Sequence, residues 1–181
     1  FYKLYVFLLS RAYCAFHDSM ETYICRFNFQ NHSRLVQWVD DISALKSAKE
    51  TRKLFPKATC EIQKYEAKGE KTQNLPEYSN LFITANSVCP LHTGVNDRRQ
   101  LILEASTLHL QERPFFKKLN DDFKNLDLGH AWYWFLKRRE RGSWHPSENP
   151  PTAAKSKTVE HCMVKSHRFI NDTFCNAEWL L

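Results

Sequence analysis

Two adjacent carboxylates, Asp40 and Asp41, close the apolar run Leu35-Val-Gln-Trp-Val39. One acid in that position can hold Mg²⁺ while the other orients an attacking water, the division of labour that phosphoryl transfer requires. A second apolar run, Leu81-Phe-Ile-Thr-Ala-Asn86, ends in an amide, and the block Asn96-Asp-Arg-Arg99 follows it. If the two runs are neighbouring strands, Asn86 stands beside the carboxyl end of the first, where open α/β sheets bind ligands. The pair Arg98 and Arg99 can neutralise charge that develops on a terminal phosphate. Each block alone is common in structural roles. Their order and spacing together read as a nucleotide-hydrolysis site.

The part that cradles a triphosphate is missing from these residues. No G-x-x-x-x-G-K-[ST] run occurs, and Gly69, Gly94, Gly129 and Gly142, the four glycines, are widely scattered. The apolar stretch from Phe1 to Phe16 suits the helix that follows such a loop, so the chain reads as a fragment cut just downstream of it.

The elements that must position these residues follow from hydrophobic patterning. Residues Phe1 to Ala15 are apolar on nearly every face, which predicts a buried helix packed on a sheet. Thr22 to Phe29 is aromatic and fits either a short strand or a helix. The continuous run Leu35 to Val39 is that of a parallel strand covered on both faces. Ser43 can cap a helix that Pro56 stops. Between Thr59 and Lys71, Cys60, Ile62 and Lys64 alternate with Glu61, Gln63 and Tyr65 before an Ala67-Lys-Gly-Glu70 turn, which predicts a hairpin with a basic tip. Its Lys64, Lys68 and Lys71 offer phosphate contacts and Tyr65 a stacking surface, the tools of sequence-independent single-strand binding. Gln100 to Ala105 reads as a further strand. Helices are expected over Pro114 to Leu126, over Leu128 to Arg141 with Trp132, Phe135 and Leu136 inward, and over Ala153 to Phe174 with Thr152 as cap. The Ser143 to Pro151 loop holds three of the seven prolines; it separates 1–142, a truncated core, from 143–181, a loop and basic helix of the same domain.

Composition bounds the rest. With 181 residues, 43% hydrophobic and 25% charged, the chain can bury one real core. A net charge of +6 and a pI near 9.0 favour an anionic partner, nucleic acid first among them. Six cysteines without a C-x-x-C pair suggest reduced thiols, and His161, Cys162, His167 and Cys175 match no standard metal spacing. The apolar run Leu4 to Leu9 is too short to span a bilayer, so no membrane association is expected. Chemistry of this kind belongs in the nucleus or cytoplasm rather than outside the cell.

The blocks Asn31 to Asp41, Ile83-Thr-Ala-Asn86 and Asp97-Arg-Arg99 resemble the helicase domain of superfamily 3, in the primase-helicase branch of phages, large DNA viruses and virus-derived elements. That resemblance covers most of the chain. It implies an AAA+-like P-loop NTPase core, a parallel α/β sheet truncated at its N-terminus with a helical C-terminal part. Asp40 and Asp41 correspond to the Walker B acids, Asp40 toward Mg²⁺ and ATP and Asp41 toward water. Asn86 corresponds to the sensor amide and Arg98 or Arg99 to the arginine finger. Lys68 with Gly69 is similar to the tip of a DNA-tracking hairpin. The implied activity is ATP-dependent DNA unwinding by a homo-oligomer, usually a hexameric ring, acting on single-stranded DNA. Asp41 departs from the common Glu by one methylene, and without a phosphate loop these residues alone are not expected to hydrolyse ATP. The alternative is a degenerate remnant that binds nucleic acid or partner subunits without catalysis.

Overall fold

The computed structural model describes residues 2–40, 42, 54, 56–57, 59–87, 89–94, 96–143, 145 and 148–163. Most of the expected helix after Ser43 and the C-terminal half of the last helix lie outside them, as does Asp41; Leu54, Pro56, Lys57 and Thr59 are helical, and the Cys60 N–H donates to the Pro56 carbonyl at 3.0 Å, which corrects the expectation that Pro56 stops that helix. The chain forms a parallel three-stranded sheet with helices around it and a mostly helical C-terminal part.

Helix α1, Tyr2–Leu9, is shorter than its apolar sequence suggests. It ends at Ser10, whose φ of 76° leaves the helical region, and the Ser10 hydroxyl accepts the Ala12 N–H at 3.4 Å. The continuation expected to be helical is instead strand β1, Cys14–His17. Helix α2, Met20–Ile24, is capped by Ser19, whose hydroxyl accepts the Thr22 N–H at 3.2 Å. Strand β2, Val36–Val39, is buried at every position, as a central parallel strand covered on both faces is, with Gln37 the one polar side chain in it.

Strands β3, Ile62–Tyr65, and β4, Gln73–Pro76, pair antiparallel around a turn at Ala67–Glu70, with Gly69 at φ 84° supplying the left-handed position. Strand β5, Asn80–Ile83, lies parallel to β2 on the side opposite β1, giving the order β1-β2-β5. Registers align Phe16, Trp38 and Phe82 on one face. There α1 lays Tyr2 against Phe16 and Trp38, at ring separations of 5.2 and 6.3 Å, and Tyr5 against Phe82 at 4.9 Å. The other face carries Val39 into a core with Met20, Tyr23, Ile42, Leu54 and Leu91. Gln37 is buried on that face; its amide donates to the Asn31 carbonyl at 2.8 Å and its oxygen accepts from His17 Nε2 at 2.9 Å.

Helices α3, Arg113–Asp122, α4, Leu126–Arg138, and α5, Ala153–Cys162, complete the described residues. Asn125 caps α4 by accepting the Asp127 and Leu128 N–H groups, and Thr152 caps α5 as expected. Trp132, Phe135 and Leu136 do not face inward: they are 42%, 58% and 45% exposed. Only Gly129 of α4 is buried, and the ring beside it is Phe7 of α1. Cys89 and Cys162 form a disulfide that ties the loop after β5 to the end of α5, which corrects the expectation of reduced thiols throughout; Cys14, Cys25 and Cys60 are free. No group of three or more metal-ligating side chains occurs among the described residues, and no described helix is long and apolar enough to cross a membrane.

Candidate functional site

The three parallel strands end together, and hydrogen bonds carry the ladder one step beyond them. The Asp40 N–H donates to the His17 carbonyl at 3.0 Å, and the Thr84 N–H donates to the Val39 carbonyl at 3.0 Å. The Ile42 N–H returns to the Thr84 carbonyl at 3.0 Å. These bonds fix the backbone on both sides of Asp40 and Thr84, so their side chains meet: the Thr84 hydroxyl donates to the Asp40 carboxylate. Asp40 is half-buried, held in one orientation at the carboxyl edge of the sheet, where parallel α/β folds place their ligands.

Asn86 follows Thr84 by two residues and is exposed. It lines a cleft of about 390 Å³ whose walls are Ile83 and Ala85 on one side and residues 101–105 on the other, with Ala154 and Thr158 of α5 between. The structure thus places Asp40 and Asn86 on the same end of the sheet through β5.

Arg98 and Arg99 are exposed in the segment that leads into 101–105. Their backbone is anchored: Asn149 donates to the Arg98 carbonyl at 2.6 Å, and the Arg99 N–H donates to the Asp97 carboxylate at 2.8 Å. Lys155 of α5 donates to the Asp97 carbonyl. Neither arginine lines the cleft beside Asn86.

The hairpin carries Lys64, Lys68 and Lys71 exposed, with Lys68 in the turn itself. The end of β3 that enters the turn is tied down: the Asn28 amide donates to the Lys64 carbonyl at 3.0 Å while its oxygen accepts the Glu66 N–H at 3.1 Å, and Arg26 pairs with Glu66 at 2.8 Å. Tyr65 does not offer a stacking surface. It is 1% exposed, and its hydroxyl donates to Glu77 at 2.5 Å. Burial first, then the Glu77 bond, pushes its phenol well above the ordinary range. Beneath the hairpin, burial pushes the Lys57 ammonium down, and that group sits 5.5 Å from the Tyr23 ring centre.

The residue that sequence reasoning left without a role is Thr84. Its place was visible in the run Ile83-Thr-Ala-Asn86, but only the β2–β5 register shows that it faces Asp40.

No protein-family model and no curated protein matches the chain. Its fold is similar to the apo structure of the NrS-1 C-terminal region (305–718), at TM-score 0.71 and 18% identity over 90% of this chain and 40% of that one. It is similar also to two A-form apo structures of the same region. One gives TM-score 0.71 and 19% identity over 96% of this chain and 43% of that one; the other gives 0.69 and 20% over 98% and 43%. The chain therefore spans about two fifths of the length of the structures it resembles, and at such identities the likeness is one of fold.

Proposed function

We propose that this chain is part of the ATPase domain of a DNA helicase of the superfamily 3 type, inactive on its own for want of a phosphate loop and belonging to a viral or virus-derived replication protein. The observation that carries the reading is the Asp40 carboxylate bonded to Thr84 at the carboxyl end of the central strand, on the strand pair that leads to Asn86. One carboxylate with a neighbouring hydroxyl suits Mg²⁺, which takes one or two protein carboxylates and completes its shell with phosphate oxygens and water. When bound, the ion neutralises phosphate charge.

This chain's own residues then have distinct tasks. Asp40 holds the cation, and Asp41 orients the attacking water. Asn86 hydrogen-bonds the terminal phosphate or that water. Arg98 or Arg99, exposed on an anchored backbone, reaches the nucleotide of a neighbouring subunit in a homo-oligomeric ring. Hydrolysis in this reading needs a phosphate cradle that these 181 residues, without a G-x-x-x-x-G-K-[ST] run, do not supply. The hairpin lysines follow the backbone of single-stranded DNA, with the strand beside the turn held by Asn28 and Arg26.

The hairpin gives the sharpest check. Replacing Lys64, Lys68 and Lys71 together by Ala should weaken single-stranded DNA binding and flatten its salt dependence by about two units in the log–log slope, while nucleotide binding is unchanged. An unaltered salt dependence removes the hairpin from the DNA path. DNA binding without ATP hydrolysis in the longest native reading frame would favour the second reading, a non-catalytic nucleic-acid-binding or subunit-interaction remnant.

A further inference from the structure

Helix α4 meets the rest of the fold along one side. Gly129 lies against the Phe7 ring of α1, so closely that a Cβ there would collide with it. Ala131 follows Gly129 by two residues, which on a helix leads most of the way round to the opposite side. From Ala131, spacings of three, four, seven and eight reach Trp134, Phe135, Arg138 and Arg139, so these residues share one outward stripe. They line an open depression of about 510 Å³, and both of its rings are exposed.

The stripe mixes rings and cations rather than separating them. Arg138 stands three residues after Phe135 and four after Trp134, so it rises between the two rings, 5.3 Å from the Trp134 ring centre. Lys137 approaches the same ring at 4.9 Å, and Arg141 continues the basic run beyond the helix. None of Lys137, Arg138, Arg139 and Arg141 enters an ion pair among the described residues. Positive charge and aromatic surface are thus presented together.

That mixture selects the occupant. An amphipathic helix that enters a lipid surface keeps its cations on the polar face, away from the apolar one. Here Arg138 lies between the rings, and an apolar partner helix laid on them would bury its guanidinium unpaired. A single nucleic-acid strand suits both kinds of group, because it alternates anionic phosphates with flat base faces. Arginine adds a planar fork for phosphate oxygens and a face that stacks. The β3–β4 hairpin lacks this combination: its lysines are exposed, but its one aromatic side chain, Tyr65, is buried.

We propose that the outward stripe of α4 is a stacking platform for single-stranded nucleic acid, with bases on Trp134 and Phe135 and phosphates on Arg138 and Arg139, assisted by Lys137 and Arg141. Every base has a π face, so the platform takes any sequence. It does not rest on the helicase reading, since it needs neither nucleotide nor Asp40.

The test is the binding of a labelled oligothymidylate of about 20 nucleotides beside an abasic strand of the same length and charge. The 181-residue chain should hold the thymidylate at least about tenfold more tightly than the abasic strand. Trp134→Ala should remove most of that preference and leave the abasic affinity within about twofold, whereas Trp134→Phe, which keeps a ring, should retain it. Arg138→Gln with Arg139→Gln should weaken both strands and lower the log–log salt slope by about 1.4. An unchanged denaturant midpoint separates these losses from a folding defect, and Phe135→Ala gives the same reading on a second ring. Equal affinity of the unaltered chain for the two strands overturns the proposal, as does a preference that survives both ring-to-alanine substitutions. So does Trp134-dependent binding to anionic phospholipid vesicles, or a Trp134-dependent dimer in sedimentation, without any preference between the strands: the stripe then serves a membrane or a second copy. Replacing the hairpin lysines should leave the thymidylate preference in place, so failure of the hairpin and failure of the stripe are told apart.

Discussion

The sheet region and the helices that follow it use similar apolar content to different ends. Between Cys14 and Thr93 a core forms: Val39 is fully buried, and Met20, Tyr23, Leu54 and Leu91 close around it. In α3 and α4 they do not. Helix α3 buries no residue, and α4 shows Trp132, Tyr133, Trp134, Phe135 and Leu136 at 42–58% exposure. Lys137 and Arg138 lie 4.9 and 5.3 Å from the Trp134 ring centre, so that ring meets its own helix's cations rather than a core. The lesson is that the sheet end carrying Asp40 is positioned by this chain's own packing, whereas the helices present surface of a kind that a binding partner covers.

The contrast can be broken most severely at Val39. Val39→Asp places an unpaired charge at the centre of the sheet and should cost about 3 kcal/mol or more, abolishing the cooperative denaturant transition. A folded Val39→Asp chain would show that the sheet is not the stabilising unit. The join between the regions is next. A Cβ at Gly129 would lie 2.7 Å from Phe7 Cζ, and that ring also packs on Phe123. Gly129→Val should therefore destabilise the docking of α4 by about 1–3 kcal/mol, raising amide exchange in α4 while β2 stays protected.

Alkaline pH probes the sheet side alone. Burial raises the Tyr23 and Tyr65 phenols above their ordinary 10.0, Glu77 adding to both. A raised acid binds its proton more tightly in the fold, so this stability is present below pH 10 and is lost as pH rises beyond it. Tyrosine absorbance should show these two phenols ionising only together with loss of the fold. Smooth ionisation of all seven tyrosines near pH 10 in folded protein would contradict the packing under the hairpin. The smallest effect belongs to the exposed helix: Trp134→Ala should change stability by less than about 1 kcal/mol, read from the denaturant midpoint. A larger loss would mean that α4 is better packed than its exposure indicates.

Much of the sheet was legible because the apolar runs at 35–39, interrupted only by Gln37, and at 81–83 mark β2 and β5. The hairpin was legible from alternation and from Gly69. Strand β1 was not, since Cys14-Ala-Phe-His17 continues an apolar stretch without any Gly or Pro to mark the break; Ser10, at positive φ, makes it. The strand expected at 100–105 has the right composition and lacks a pairing partner, which no local pattern can reveal. Trp132, Phe135 and Leu136 were misread for a related reason: helical periodicity tells which side chains share a face, not whether anything lies opposite. That Asp40 and Asn86 follow the ends of two strands was legible from the apolar runs before them, while the Thr84–Asp40 bond is visible only through cross-strand register. Tyr65 was misread because alternation in a hairpin cannot say which face meets a core.

The central claim is that Asp40 sits in a nucleotide-hydrolysis site. Its most direct test is DNA-stimulated ATPase activity of the longest native reading frame, beside the 181-residue chain and the Asp40→Ala and Arg99→Ala forms of the long frame. The account predicts activity in the long frame only, abolished by either substitution. Activity that survives Asp40→Ala, or a long frame that carries an intact phosphate loop and still fails to hydrolyse ATP, would contradict it.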